Sequence, residues 1–240
     1  ENADGTWQAT LAITCSEDAT DAVISTTPDV GTAVTVRLPE DCEAGETPIS
    51  FTDVRPNTMF YDEIMWMANQ GYAQGWPDGT FRPVTSVNRD AMAAFLYRMA
   101  GSPEVRTPRN QPFTDVRPGQ EHYDAIIWAH QEGITTGWTE RNGTRTFRPT
   151  QTIDRDAMAA FVYRYAGSPE FAQPTQAPFR DVPANAKFAK EIAWAKEEGI
   201  TTGWPNGTYR PKSPMNRDAT AAFLYRMQEE QQITYLSESD

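Results

Sequence analysis

At 240 residues, with 39% apolar and 22% charged, the chain is long enough to bury a core and too hydrophobic to be disordered throughout. Its formal net charge of −12 argues against a nucleic-acid backbone or an anionic lipid surface as the main partner, and no apolar run approaches the ~20 residues that span a bilayer. The charge is uneven: residues 1–50 hold ten acids and only Arg37, residues 51–227 hold 19 acids and 20 bases, and Glu229, Glu230, Glu238 and Asp240 follow.

The acidic head, residues 1–48, reads as a small β segment or the end of an upstream β domain. Residues 7–15 alternate like a strand, 22–27 and 32–38 are rich in β-branched side chains, and Pro28, Asp29 and Gly31 mark a turn. Cys15 and Cys42 are the only cysteines, and their spacing suits one disulfide, with two free thiols the alternative. Neither is part of a Cys/His cluster that could bind zinc. Residues 43–48 read as a linker. The chain opens at Glu1 without an initiator Met, as expected of a mature or excised portion with an upstream domain in the same polypeptide.

Beyond the linker the sequence repeats itself. Phe51-Thr52-Asp53-Val54, Phe113-Thr114-Asp115-Val116 and Phe179-Arg180-Asp181-Val182 open three units, 49–105, 106–172 and 173–228, followed by an acidic tail, 229–240. Four extra residues between Trp138 and Phe147 account for the unequal spacing. Trp66, Trp128 and Trp194 then align, as do Gly71, Gly133 and Gly199, the Gly-Trp pairs at 75, 137 and 203, and the Arg-Pro pairs at 82, 148 and 210.

Each unit reads as helix, turn-rich loop, helix. In the first helices Tyr61, Ile64, Met65 and Ala68 recur at three- and four-residue steps, as do Ile126, Ile127 and His130, and Ile192, Ala195 and Lys196. Gly71, Gly133 and Gly199 supply the helix-ending position. Pro77-Asp78-Gly79 and Pro205-Asn206-Gly207 are tight turns, flanked by short strand-like pieces such as Thr80-Phe81-Arg82. Second helices begin at the N-caps Asn88, Asp154 and Asn216, with Asp90, Asp156 and Asp218 complementing the dipole. Their apolar stripes (Met92, Phe95, Leu96 and Met99 in the first) cannot be buried within one unit, so three units should close on one another. The expected fold is mainly α: three helix-loop-helix repeats in a pseudo-three-fold bundle, preceded by a small disulfide-linked β segment.

The run Gly-Trp-Pro-Asp-Gly-Thr-Phe-Arg-Pro at 75–83, with Phe51-Thr52-Asp53-Val54 before it and Val87-Asn88-Arg89-Asp90-Ala91 after it, resembles the S-layer homology repeat of bacterial surface proteins. The Met-Ala-Ala-Phe-Leu-Tyr-Arg pattern is similar to versions from high-GC Gram-positive bacteria. The resemblance implies a three-pronged spindle on a helical bundle, whose inter-repeat grooves hold a cell-wall polysaccharide, often pyruvylated. The family's Thr-Arg-Ala-Glu motif, with Arg facing the ligand's acid group, carries over to Arg89, Arg155 and Arg217. The reciprocal Glu is absent here, and an Asp stands one place earlier.

The residues support a binding site on their own chemistry. A guanidinium is permanently charged and forks onto carboxylate or phosphate, and a helix N-terminus beside it offers N–H donors. Trp76, Trp138 and Trp204 could present a flat face to a sugar or pack between repeats, and Gly75, Gly137 and Gly203 would let a ligand approach the backbone. The arginines could instead pair with the adjacent acid or with a neighbouring repeat. Trp66, Trp128 and Trp194 read as core, and Asp53, Asp115 and Asp181 as staples of each unit's start. Arg98, Arg164 and Arg226 read as structural, complementing helix C-termini. Asn142 and Asn206 lie in glycosylation sequons that are also turn signals.

Catalysis fits poorly, since His122 and His130 occur only in the second unit without a nucleophile motif, and no cofactor is implied. The expected function is a non-catalytic, secreted cell-wall attachment module on a Gram-positive surface, binding an acidic secondary polysaccharide. The alternatives are a protein-interaction scaffold and a carbohydrate-targeting module of a glycoside hydrolase.

Overall fold

The computed structural model describes residues 21–24, 34–37 and 49–238, with side chains described over 49–229. The chain divides into two compact units, Glu1–Ile49 and Ser50–Asp240. In the first, β1 (Asp21–Ile24) pairs antiparallel with β2 (Val34–Arg37), Ala22 opposite Val36 and Val23 opposite Thr35. The expected Cys15–Cys42 disulfide and the strand at 7–15 lie outside the described residues.

The second unit is mainly helical. The first helices of the three repeats are α1 (Tyr61–Asn69), α3 (Tyr123–Gln131) and α5 (Ala189–Glu197), and the second helices are α2 (Arg89–Met99), α4 (Arg155–Tyr165) and α6 (Arg217–Glu238). Each first helix ends as the sequence predicts, with Gly71, Gly133 and Gly199 at φ of +71°, +72° and +68°. Their starts are less regular, because Phe60, His122 and Phe188 take left-handed φ near 60° just before the first turn. Helix α6 is twice the length of its counterparts, so the acidic tail continues a helix.

Two local expectations are corrected. Only the second repeat forms a strand pair, β3 (Trp138–Thr139) with β4 (Arg145–Thr146), because its four-residue insertion lengthens both arms of the loop. Thr80-Phe81-Arg82 is not a strand.

The N-caps differ in mechanism. Asn88 and Asp154 stand at the cap positions without a side-chain cap bond. Instead the following repeat supplies backbone carbonyls: Arg89 and Asp90 N–H donate to Gln151 and Pro149 at 3.0 and 3.1 Å, Arg155 and Asp156 to Ser213 and Pro211, and Arg217 and Asp218 to Thr85 and Pro83. Those donors would be left unpaired in an isolated unit.

The same segments are linked by three backbone bonds that run head to tail. Val87 N–H donates to Met215 O at 2.8 Å, Met215 N–H to Ile153 O at 2.9 Å, and Ile153 N–H to Val87 O at 2.9 Å. Around them α2 packs on α3, α4 on α5 and α6 on α1. Tyrosines of the second helices meet the tryptophans of these partners: Tyr97 with Trp128, Tyr163 with Trp194 and Tyr225 with Trp66, ring centroids 5.2 to 5.5 Å apart. Trp128 and Trp194 are buried and Trp66 half-buried, so the core reading of these three tryptophans stands. The largest sealed side chains are Phe81, Phe113, Phe147 and Tyr209. Phe51, Phe113 and Phe179 lie against Phe81, Phe147 and Tyr209 at 5.2 to 5.6 Å.

Asp53, Asp115 and Asp181 staple the start of each unit to its loop. Asp181 accepts from Tyr209 N–H at 2.7 Å and Arg210 N–H at 2.8 Å, and the other two do the same. Asp181→Ala should cost about 2–4 kcal/mol, two charge-assisted bonds, in a denaturant melt. A chain ending at residue 172 lacks the partners of α1 and α4 and should show no cooperative thermal transition by circular dichroism.

Candidate functional site

The turn loops carry the first layer of the site. Trp76 N–H donates to Thr80 O and Gly79 N–H to Trp76 O, closing the Pro77-Asp78-Gly79 turn, and Trp204, Thr208 and Gly207 repeat the pattern. Asp78, Asn142 and Asn206 clip the turns by accepting from both the N–H and hydroxyl of the Thr two residues on. The two sequon asparagines are thus engaged in turn geometry. The aspartate staples hold Arg82, Arg148 and Arg210 at φ of 57°, 60° and 57°, a conformation costing a residue with a Cβ about 1–2 kcal/mol. Their guanidinium carbons sit 4.4 to 4.7 Å from the centroids of Trp76, Trp138 and Trp204.

The second layer crosses the repeat boundary. Arg89, Arg155 and Arg217, at the first turns of α2, α4 and α6, are only 4%, 7% and 7% exposed. Each reaches the loop of the following repeat: Arg89 to Trp138 at 4.0 Å, Arg155 to Trp204 at 4.4 Å and Arg217 to Trp76 at 4.4 Å. Their Nε atoms donate to Phe147 O, Tyr209 O and Phe81 O at 2.9 to 3.0 Å. Burial, more than the neighbouring guanidinium of Arg148, pulls Arg89 down to about 9; burial chiefly, then Arg98, brings Arg217 to about 10, and Arg155 shifts the same way through burial. All three stay cationic at neutral pH. A charge-assisted bond contributes about 1.5–3 kcal/mol and a desolvated cation–π contact about 2, against a desolvation cost of several kcal/mol per ion. These contacts therefore leave room for an anion to add stabilisation.

A third layer was missed from the sequence. Arg98, Arg164 and Arg226 donate to Tyr72 O, Ile134 O and Ile200 O, within their own repeats, and line cavities at the repeat boundaries. The available signal was their spacing, seven residues after Ala91, Ala157 and Ala219, on the same helix face as Ala94, Ala160 and Ala222. Among the described residues none of these six arginines forms an ion pair.

The cavities differ. One of about 120 Å³ between the second and third repeats brings together Arg89, Trp138, Arg164, Lys187 and Phe188. One of about 410 Å³ is lined by Arg155, Trp204, Asp218 and Arg226 together with Met59 and Phe60 of the first repeat. At the remaining boundary the cavity is lined by Arg98, His122 and Asp124, without Arg217 or Trp76.

Three sequence expectations change. The helix N-termini are not open anion cradles, since the first two N–H groups of α2, α4 and α6 are taken by the next repeat. Gly75, Gly137 and Gly203 answer a packing demand: a Cβ there would lie 2.4 to 2.5 Å from Phe51, Phe113 or Phe179 and 2.5 to 2.8 Å from a loop carbonyl. Trp76, Trp138 and Trp204 are half-buried, and each carries two guanidinium groups near its ring, which leaves less of the indole for a sugar.

Comparison with known proteins agrees with this repeat plan. The S-layer homology domain matches residues 50–93, 112–159 and 178–221, more than half of the chain. Cell surface glycoprotein 1 of Acetivibrio thermocellus is 26% identical over 66% of this chain and 7% of its own length, and the cellulosome-anchoring protein of the same organism is 23% identical over 65% and 35%. An endoglucanase of Bacillus sp. strain KSM-635 is 27% identical over 76% of this chain and 19% of its own length. The chain spans about a third or less of the length of these relatives. With three matched repeats, each holding the aspartate staple, the Gly-Trp loop and the arginine at the second helix start, the chain belongs to the S-layer homology family.

Proposed function

We propose that residues 50–228 are a non-catalytic attachment module that binds an acidic cell-wall polysaccharide in its inter-repeat grooves and so anchors a surface protein outside the cell. The observation that carries this reading is the set of arginines without carboxylate partners. At two of the three boundaries an inner arginine, Arg89 or Arg155, and an outer one, Arg164 or Arg226, line the same cavity as a Gly-Trp loop. Guanidinium forks without protein carboxylates suit carboxylates or phosphates on a sugar chain.

The head-to-tail backbone bonds and the α2–α3, α4–α5 and α6–α1 contacts support a closed pseudo-three-fold arrangement of repeats 49–105, 106–172 and 173–228. The anchoring and surface roles named for the relatives support an extracellular setting. The partial match to an endoglucanase supports a module joined to a separate cargo domain. Among the described residues no helix is long and apolar enough to cross a membrane. Pyruvate ketals are one source of the acidic group.

The protein should sediment with purified sacculi, keep binding after protease treatment of the sacculi, and lose binding once acid extraction removes the secondary polymer. Binding lost on protease treatment would assign the grooves to a protein partner. Arg164→Gln and Arg226→Gln, in the cavity linings, should each weaken sacculus binding by about 1–2 kcal/mol with little change in melting temperature. Arg89→Ala should lower both, because its Nε–H also joins α2 to the second repeat; the stability loss should be about 2–4 kcal/mol by chemical denaturation.

A further inference from the structure

The three repeat boundaries share a plan but not a charge. Just before the left-handed residue that opens each first helix stand Met59, Glu121 and Lys187, at homologous positions, and Met59 and Lys187 line different cavities. Between the second and third repeats this places Lys187 in the same cavity as Arg89 and Arg164. Lys187 Nζ lies 4.7 Å and Arg164 Cζ 5.8 Å from the centroid of Phe188, so both charges gather around one ring. Among the described residues no carboxylate lines this cavity. Asp156, the buried acid at the start of α4, does not line it and pairs instead with the exposed Lys212 at 2.5 Å.

The other boundaries carry acids among their cations. Asp218 lines the cavity with Arg155 and Arg226, while Asp124 lines that of Arg98, where Glu121 stands 3.6 Å from His122. The inner arginines differ as well. Arg217 Nη2 donates to Gln74 O at 3.0 Å, and the terminal nitrogens of Arg155 face Thr201 Oγ1 and Met215 Sδ at 3.5 Å. Arg89 is the most buried of the three, yet among the described residues only its Nε has a hydrogen-bond acceptor. Among the described residues no fully buried side-chain polar atom lacks a partner, so its terminal nitrogens keep some exposure, and Arg89 is part of the cavity lining.

We propose that the groove between the second and third repeats is the charge-selecting site of the module. It takes a glycan stretch bearing two anionic groups, carboxylate or phosphate, on one or two adjacent sugars. One group binds the terminal nitrogens of Arg89, and the second lies between Arg164 and Lys187. Lys187 is the residue that sets this preference. The inference rests on the reading of the grooves as acidic-glycan sites and adds which groove discriminates charge density.

The test is isothermal titration of the 240-residue protein with trigalacturonate, with an oligo(glycerol phosphate), and with fully methyl-esterified trigalacturonate as the uncharged control. The protein should bind at least one acidic oligomer and not the ester, and the tighter of the two identifies carboxylate or phosphate as the preferred group. Lys187→Met installs the residue of the first repeat at an exposed position; it should weaken acidic-oligomer binding about three- to fivefold and reduce its salt dependence, with an unchanged melt. Met59→Lys should strengthen binding. Unchanged affinity in Lys187→Met and Arg164→Gln, with loss confined to Arg226→Gln or Arg98→Gln, would overturn the assignment while leaving the grooves as glycan sites. Failure to bind either acidic oligomer, with sacculus binding intact, would overturn charge selection alone. Loss of sacculus binding as well would overturn the attachment reading beneath it.

Discussion

A guanidinium that leaves its own repeat to be buried in the next is the interaction on which this structure depends. Arg89, Arg155 and Arg217 each give an Nε–H to a carbonyl of the following unit and lie over that unit's loop tryptophan. Removing such a charge from water is costly, and a carboxylate partner would offset the cost most simply. None is present among the described residues, and the offset comes from a carbonyl and aromatic faces instead. That choice keeps the charge uncancelled where the repeats meet. The same side chains can therefore join the units and remain attractive to an anion.

The aspartate staples make this possible. Asp53, Asp115 and Asp181 hold the loop backbone through two N–H groups each, and with it a left-handed arginine that no local preference would select. The strained arginines flank the loop tryptophans from the same repeat, while the buried ones approach from the preceding repeat. The loop is thus shaped by contacts distant in sequence, and the glycines before each tryptophan are fixed by a phenylalanine some 24 residues earlier.

Much of this was legible in the sequence because it is periodic. The three repeats, two helices per unit, the helix-ending glycines, the core tryptophan set and the staple role of the aspartates all follow from side-chain spacing and turn chemistry. What was not legible depends on which repeat meets which. Asn88 and Asp154 have the right chemistry to cap a helix, but a carbonyl from another unit reaches the N–H groups first. Arg98, Arg164 and Arg226 look like dipole partners within one helix, and only the packing of the next repeat against them reveals a shared cavity. Glycine beside tryptophan suggests room for a ligand, whereas a neighbouring ring already fills that room.

The head-to-tail bonds among Val87, Ile153 and Met215 join the last repeat to the first as well as to the second. In an open stack an outermost unit is held by one neighbour and can peel away alone, so a steady pull unravels the array from its end. Here a tug on either terminus of the repeat body meets two seams at once, and the central repeat shares the load whichever end is drawn. Resistance to traction is therefore a property of the trio, and trimming one member would forfeit far more than a third of it.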